Sequence, residues 1–164
     1  MTDQKKLIEA MFDDAIKLRN ADDLAGAHSL LTQLIQQVDP NDKVVLGHSH
    51  MQLGLIAQLR GERGEQVVHF QAAVAVLPHS DLASNNLFGA LFMAGRFREA
   101  YEEIVRLLRI TYSPRYGAMF DEPGYGDDLT GELRALYLEA RRLLAKRRPA
   151  YLKALELLAK RRPS

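Results

Sequence analysis

The stretch HMQLGLIAQLRGERGEQVVHFQAAVAVLPHS, residues 50–80, holds two apolar runs with Gly61 between them. In each run the apolar residues return every three or four positions, the stripe of a helix with one buried face. Gly61 can take the left-handed backbone that ends a helix, and Pro78 cannot continue one. The break at Gly61–Gly64 is too short for anything but antiparallel neighbours, so the stretch reads as one helical hairpin. The same periodicity runs through LIEAMFDDAIKL, AGAHSLLTQLIQQV, VVLGHSHMQLGLIAQL, ASNNLFGALFMA and REAYEEIVRLLRI. It predicts six helices with breaks at Ala21–Asp23, Asp39–Asp42, Gly61–Gly64, Pro78–Asp81 and Gly95–Arg96.

Sliding the chain by 34 residues lays Leu53 on Leu87, Gly61 on Gly95, Phe70 on Ile104 and Ala73 on Leu107. With Gly54 in the first helix, Phe70 and Ala73 in the second and Pro78 at the exit, residues 50–80 resemble the tetratricopeptide repeat, whose period this is. The next unit keeps Leu87, Gly95, Phe97 and Ala100. An earlier one fits through Ala27, Leu31, Leu34 and Pro40, its extra residues lying between Pro40 and His48. His50, Gln66 and Tyr112 depart from the family pattern. The resemblance spans about residues 8–114 and implies an α-solenoid of stacked antiparallel hairpins. In it Gly54 lets two helices approach closely, and Phe70 is the knob between hairpins.

The family's inner wall is formed by the first helix of each hairpin. The matching positions expected to line a partner-binding groove are Phe12, Asp13, Ile16 and Arg19, then His48, Met51, Gln52 and Leu55, then Asn85, Asn86 and Phe92. The resemblance thus implies a protein-interaction module, an adaptor without catalysis or cofactor, holding a peptide or helix of a protein partner. Asn85, Asn86 and Gln52 would bond its backbone, and Phe12, Met51, Leu55 and Phe92 would take its apolar side chains. Family members that grip a chaperone's C-terminal carboxylate do so with Lys, Asn and Arg. Met51, Leu55, Leu82 and Asn86 stand at those places here, so that clamp is not expected. The layout also resembles small cytosolic chaperones of secreted bacterial proteins, and a homo-oligomer is a further form of the same reading. Whether the groove is open or filled by the chain's own C-terminal helices is left open by the sequence.

After Pro114 the pattern lapses. Residues 115–130 are rich in Gly, Pro, Asp and aromatics and read as a loop. Asp121, Gly126 and Glu132 take the first, sixth and twelfth places of a calcium loop, but Pro123 and Tyr125 at the third and fifth cannot supply the oxygens. Two helices are then expected in residues 131–164, split by Pro149 and serving as a basic cap on one compact domain. LLAKRRP occurs twice there, at 143–149 and 157–163, each time placing cations where a helix ends. From Gly131 onward 10 Lys and Arg face 3 Glu, whereas 12 basic residues face 18 acidic ones before it. Lys146, Arg147, Arg148, Lys160, Arg161 and Arg162, with Tyr137 and Tyr151 for stacking, therefore form the alternative reading, a nucleic-acid face. The acidic body opposes it.

Other classes have little support. With no cysteine there is no disulfide and no thiolate chemistry. His48 and His50, two apart on a helix, diverge by about 200°, which does not make a metal pair. Nucleotide-binding, hydrolase and metalloprotease motifs are absent, and the paired carboxylates Asp13–Asp14, Asp22–Asp23 and Asp127–Asp128 are adjacent in sequence and read as solvated or capping groups. No apolar run reaches the length of about 18 residues that a membrane span needs, and MTDQKKLIEAMFDD puts acids where a secretory signal would be apolar, so a cytoplasmic protein is expected.

Overall fold

The computed structural model of the chain describes residues 3–160. They form α1 (Asp3–Asn20), α2 (Leu24–Gln37), α3 (Lys43–Leu59), α4 (Arg63–Val76), α5 (Asp81–Met93), α6 (Phe97–Ile110), α7 (Pro114–Asp121) and α8 (Gly131–Lys160). No strand occurs among the described residues, and α1 to α4 pair consecutively as in a helical-hairpin solenoid. None of these helices is long and apolar enough to cross a membrane. The chain divides into two compact units, residues up to Ala90 and residues from Leu91.

Three connections share one backbone design. Asp22, Gly61 and Gly95 have φ of 64°, 74° and 75°. The next residue in each case, Asp23, Glu62 or Arg96, donates its N–H to a carbonyl five residues back, that of Leu18, Ala57 or Leu91, each at 2.9 Å. That bond closes the first helix in a left-handed cap. The same three residues then start the second helix with nearly equal dihedrals, φ −80°, −82° and −88° and ψ 73°, 70° and 56°. Asp22 does with a side chain what glycine does twice. The second helices begin at Leu24, Arg63, Phe97 and Gly131, spacings of 39, 34 and 34.

In the first unit the hairpins are in strict antiparallel register. Ile8 clusters with Leu34, and Ala15 with Ala27, about the turn at Asp22. Across α3 and α4 a Cβ on Gly47 would meet Leu77 at 2.2 Å, and one on Gly54 would meet the Phe70 ring at 2.4 Å. Nearer the turn Gln66 donates to Gln58 at 3.3 Å. Phe70 therefore packs within its own hairpin, on Gly54. Leu53 and Ile56 of α3 join Ala15, Ala27 and Leu31 in one cluster, which stacks the second hairpin on the first.

In the second unit two helices follow α6, though not the expected pair. The supposed loop 115–130 begins as α7: Pro114 occupies its first turn, and Ser113 accepts the Tyr116 N–H at 3.0 Å. Ser80 accepts the Ala83 N–H in the same way 33 residues earlier, at 3.2 Å. Buried Tyr116, Gly117 and Phe120 likewise echo buried Ala83, Ser84 and Leu87, so α7 and α8 stand as a fourth hairpin in the order of elements. The second correction is that α8 runs through Pro149 without a break. The hydrogen bond that proline forfeits belongs to the carbonyl of Ala145; both residues are exposed, so water can take that carbonyl. Along α8, Arg98 pairs with Glu132 at 3.2 Å and Arg109 with Glu139 at 2.7 Å, so α6 and α8 run in the same direction.

Two expectations follow for unfolding in urea. Asp22→Gly should raise stability, and Gly61→Ala lower it, each by about 1 kcal/mol, because only glycine sits in that backbone region without strain. Gly54→Ala should cost about 1–3 kcal/mol despite the better helix propensity of alanine, since the added methyl overlaps Phe70. Combined with Phe70→Leu, the loss should be clearly less than additive.

Candidate functional site

The first two sets of positions expected to line the wall lie on α1 and α3, which touch in the first unit. Arg19 of α1 donates through Nη1 to Oε1 of Gln52 on α3, two positions 33 residues apart in sequence. Its Nη2 donates to Oδ1 of the neighbouring Asn20 at 2.9 Å. Ile16 and Leu55 are half-buried, and Asp13 and His48 are exposed. These six side chains put a fixed polar pair and half-buried apolar surface on two touching helices.

Two expected members are claimed wholly or partly by the core. Met51 is only 5% exposed and belongs to the core. Phe12 packs against both apolar clusters, with Ala15, Leu31 and Leu53 on one side and Ile8 and Leu34 on the other. Both lie a helical turn from residues that do face outward, where a repeat pattern in sequence cannot separate a lining residue from a packing one. On α5, Asn85 and Asn86 are half-buried, and Phe92, an exposed residue, meets the edge of Phe97 at 4.9 Å.

The histidines part as their spacing demands. His48 is exposed, while His50 turns toward His69 of α4 with ring centroids 5.8 Å apart. Nδ1 of each ring is buried without a hydrogen-bond partner. Burial holds both imidazoles below the ordinary histidine value of 6.5, and the neighbouring His69 adds to the effect on His50. Glu65 pulls His69 part of the way back, and His28 from α2 lowers it. No group of three or more His, Asp or Glu converges at a metal-binding distance among the described residues.

The basic helix is engaged mostly with its own unit. Arg134 donates to the Gly126 carbonyl at 2.7 Å, and Tyr137 to the Tyr125 carbonyl at 2.6 Å. The guanidinium groups of Arg134 and Arg141 stand 5.3 and 5.8 Å from the centre of the Tyr137 ring. Arg147 donates to the Arg109 carbonyl in the last turn of α6. Arg148 holds Asp121 at 2.7 Å and the Tyr112 hydroxyl at 3.1 Å. The first LLAKRRP copy thus caps the end of α6 and not its own helix, correcting the expectation from sequence. Of the second copy, Arg161, Arg162 and Pro163 lie outside the described residues. The calcium-like positions are engaged in the same way, Asp121 by Arg148, Gly126 by Arg134 and Glu132 by Arg98.

These straps and α7 are the parts that reading along the chain misses. Ser113-Pro114, a cap followed by a helix-starting proline, was the local signal for α7; the arginine targets left none. Comparison of the chain with protein-family models and with curated proteins finds no match.

The histidine pair has a measurable consequence. Because folding lowers both values, the unfolded chain takes up protons first, so stability is full above about pH 6.5 and falls as pH drops through the folded values. Urea midpoints should be level from about pH 8 to about 7 and decline toward pH 5, and replacing both His50 and His69 by Gln should flatten that decline.

Proposed function

We propose that this chain is a tetratricopeptide-type interaction module, a non-catalytic adaptor that holds a segment of a partner protein against the wall carried by α1 and α3. The observation that carries the reading is the Arg19–Gln52 hydrogen bond, which joins matching faces of consecutive first helices. The repeated left-handed turns and the Phe70 ring seated on Gly54 support the family assignment. Recognition would join backbone hydrogen bonds at Gln52 and Arg19 to apolar contact at Ile16 and Leu55. The same reading sets the protein in the cytoplasm.

The nucleic-acid alternative asks for free cations on α8, whereas Arg134, Arg147 and Arg148 already hold carbonyl or carboxylate oxygens of the second unit. That engagement favours the protein-binding reading.

A photo-crosslinking residue placed at Asp13 or His48 should capture a protein adduct from cell extract that the same residue at exposed Val68 of α4 does not. Capture at Val68 alone, or equally at all three, would refute the wall as the binding face. Charge reversal at Arg19 should abolish the adduct at His48 while leaving the helical spectrum unchanged.

A further inference from the structure

An apolar stripe runs along α8 at spacings of three and four, Leu133, Tyr137, Ala140 and Leu144, and resumes past Arg147 with Tyr151, Leu155 and Leu158. Its first half is core, with Tyr137, Ala140 and Leu144 at 3%, 0% and 4% exposure. Its second half is bare, with Leu155 and Leu158 at 44% and 60%. Length explains the difference. The α6 helix has 14 residues and α8 has 30, so at about 1.5 Å per residue roughly half of α8 has no α6 beside it. Leu152 widens the bare part, at 50% exposure. Where α6 stops, a cleft of about 520 Å³ opens between Ile110 and Tyr112 on one side and Leu143, Lys146, Arg147 and Tyr151 on the other. Tyr112 and Tyr151, both lining it, meet with ring centroids 4.6 Å apart. The bare stripe therefore continues an interface that is already packed, in the place a further helix would take beyond the end of α6.

Charge says what kind of helix. From Arg142 to Leu158, Arg147 and Arg148 hold oxygens of the second unit, which leaves Arg142, Lys146 and Lys153 against Glu156. A second copy of α8 laid here would set two strongly cationic helices side by side, which like-charge repulsion opposes. We propose that the cleft and the bare stripe of α8 form a docking site for an acidic amphipathic helix of a partner protein. Its apolar face covers Tyr151, Leu155 and Leu158, and its carboxylates meet Lys146 and the exposed cations around it. This surface is separate from the α1–α3 wall and does not rest on it.

The test uses the full chain and two labelled helical peptides of about 18 residues with the same apolar face, one with Glu at the flanking positions and one with Lys. Fluorescence anisotropy should show the acidic peptide binding at least about tenfold more tightly, an advantage that shrinks as salt rises from about 50 to about 500 mM. Leu155→Asp with Leu158→Asp, both exposed and beyond α6, should weaken it about tenfold or more with the urea midpoint unchanged. Lys146→Glu should remove much of the preference for the acidic peptide while leaving the apolar contribution. Equal binding of both peptides, no binding of either, or no effect of the leucine variants overturns the proposal. So does a chain that sediments as a dimer which the leucine variants dissociate, or a DNA oligonucleotide that displaces the acidic peptide at equal concentration.

Discussion

A single backbone bond at the end of each of three first helices governs what the hairpins can do. Once a residue at Asp22, Gly61 or Gly95 adopts positive φ, the following N–H reaches back five residues and the chain must return along the helix it has just left. The turn is short, so it sets register as well as direction. Gly54 must come opposite Phe70 and Gly47 opposite Leu77, and there a Cβ would collide with the partner side chain. Turn and close approach depend on each other: a slip of one residue would put a side chain where only a hydrogen fits. Two glycines in the middle of α3 lower its intrinsic helix propensity by about 1 kcal/mol each. The hairpin recovers this through the burial of Phe70, 1% exposed, and Leu77 against the backbone they uncover.

How much of this was legible depended on whether the deciding signal was local. Gly61 and Gly95 announce their turns because their chemistry is intrinsic, and the six predicted helices and their breaks appear where the periodicity puts them. Asp22 makes the same turn without that mark, which is why the first hairpin could be aligned only through its apolar residues. The α7 helix was hidden by the composition around it. Its cap and proline are helix signals, but they stand next to a segment with glycines at positive φ at Gly124, Gly126 and Gly131. Pro149 misled in the opposite sense, since a proline breaks a helix in proportion to the cost of its missing hydrogen bond, and on the solvent side that cost is small. The wall suffered from a different ambiguity. Phe12 and Met51 have the residue types that line a groove, yet Met51 is buried and half-buried Phe12 packs on the core, and no spacing rule tells the two uses apart.

The basic C-terminal region shows how net charge and charge placement differ. Its surplus of cations suggested a polyanion, but several arginines of α8 hold fixed oxygens. Arginine suits this because its planar fork of five donors can serve a carbonyl while its face lies over a ring, as Arg134 does with Gly126 and Tyr137. The exposed ion pairs beside them, such as Arg98–Glu132, are weakened by the surrounding water and hold little. Bonds to backbone carbonyls matter differently. Arg147 supplies a donor to the last turn of α6, where carbonyls have no helical partner and where the helix dipole favours a cation. The segment after α7 is held from α8 by Arg134 and Tyr137, and Gly126 is needed because a side chain there would strike the Tyr137 ring at 2.5 Å.

The chemistry of the α1–α3 wall also narrows what it can hold. Arg19 uses two of its five donors on Gln52 and Asn20, and both of those acceptors are neutral. A guanidinium oriented by amide oxygens keeps its full charge and its remaining donors, so it favours an oxygen of the partner, carboxylate or backbone carbonyl, over any cation. The Gln52 amide is oriented by the same bond: its oxygen faces Arg19, and its NH₂ is left as a second donor. Two donors from adjacent helices, with Ile16 and Leu55 half-buried beside them, match a chain that presents carbonyl oxygens together with an apolar side chain. An extended segment meets that demand more readily than a helix, whose interior carbonyls are already bonded within it. On the proposed reading, selectivity at the wall comes from backbone exposure in the partner, and acidity is a secondary preference.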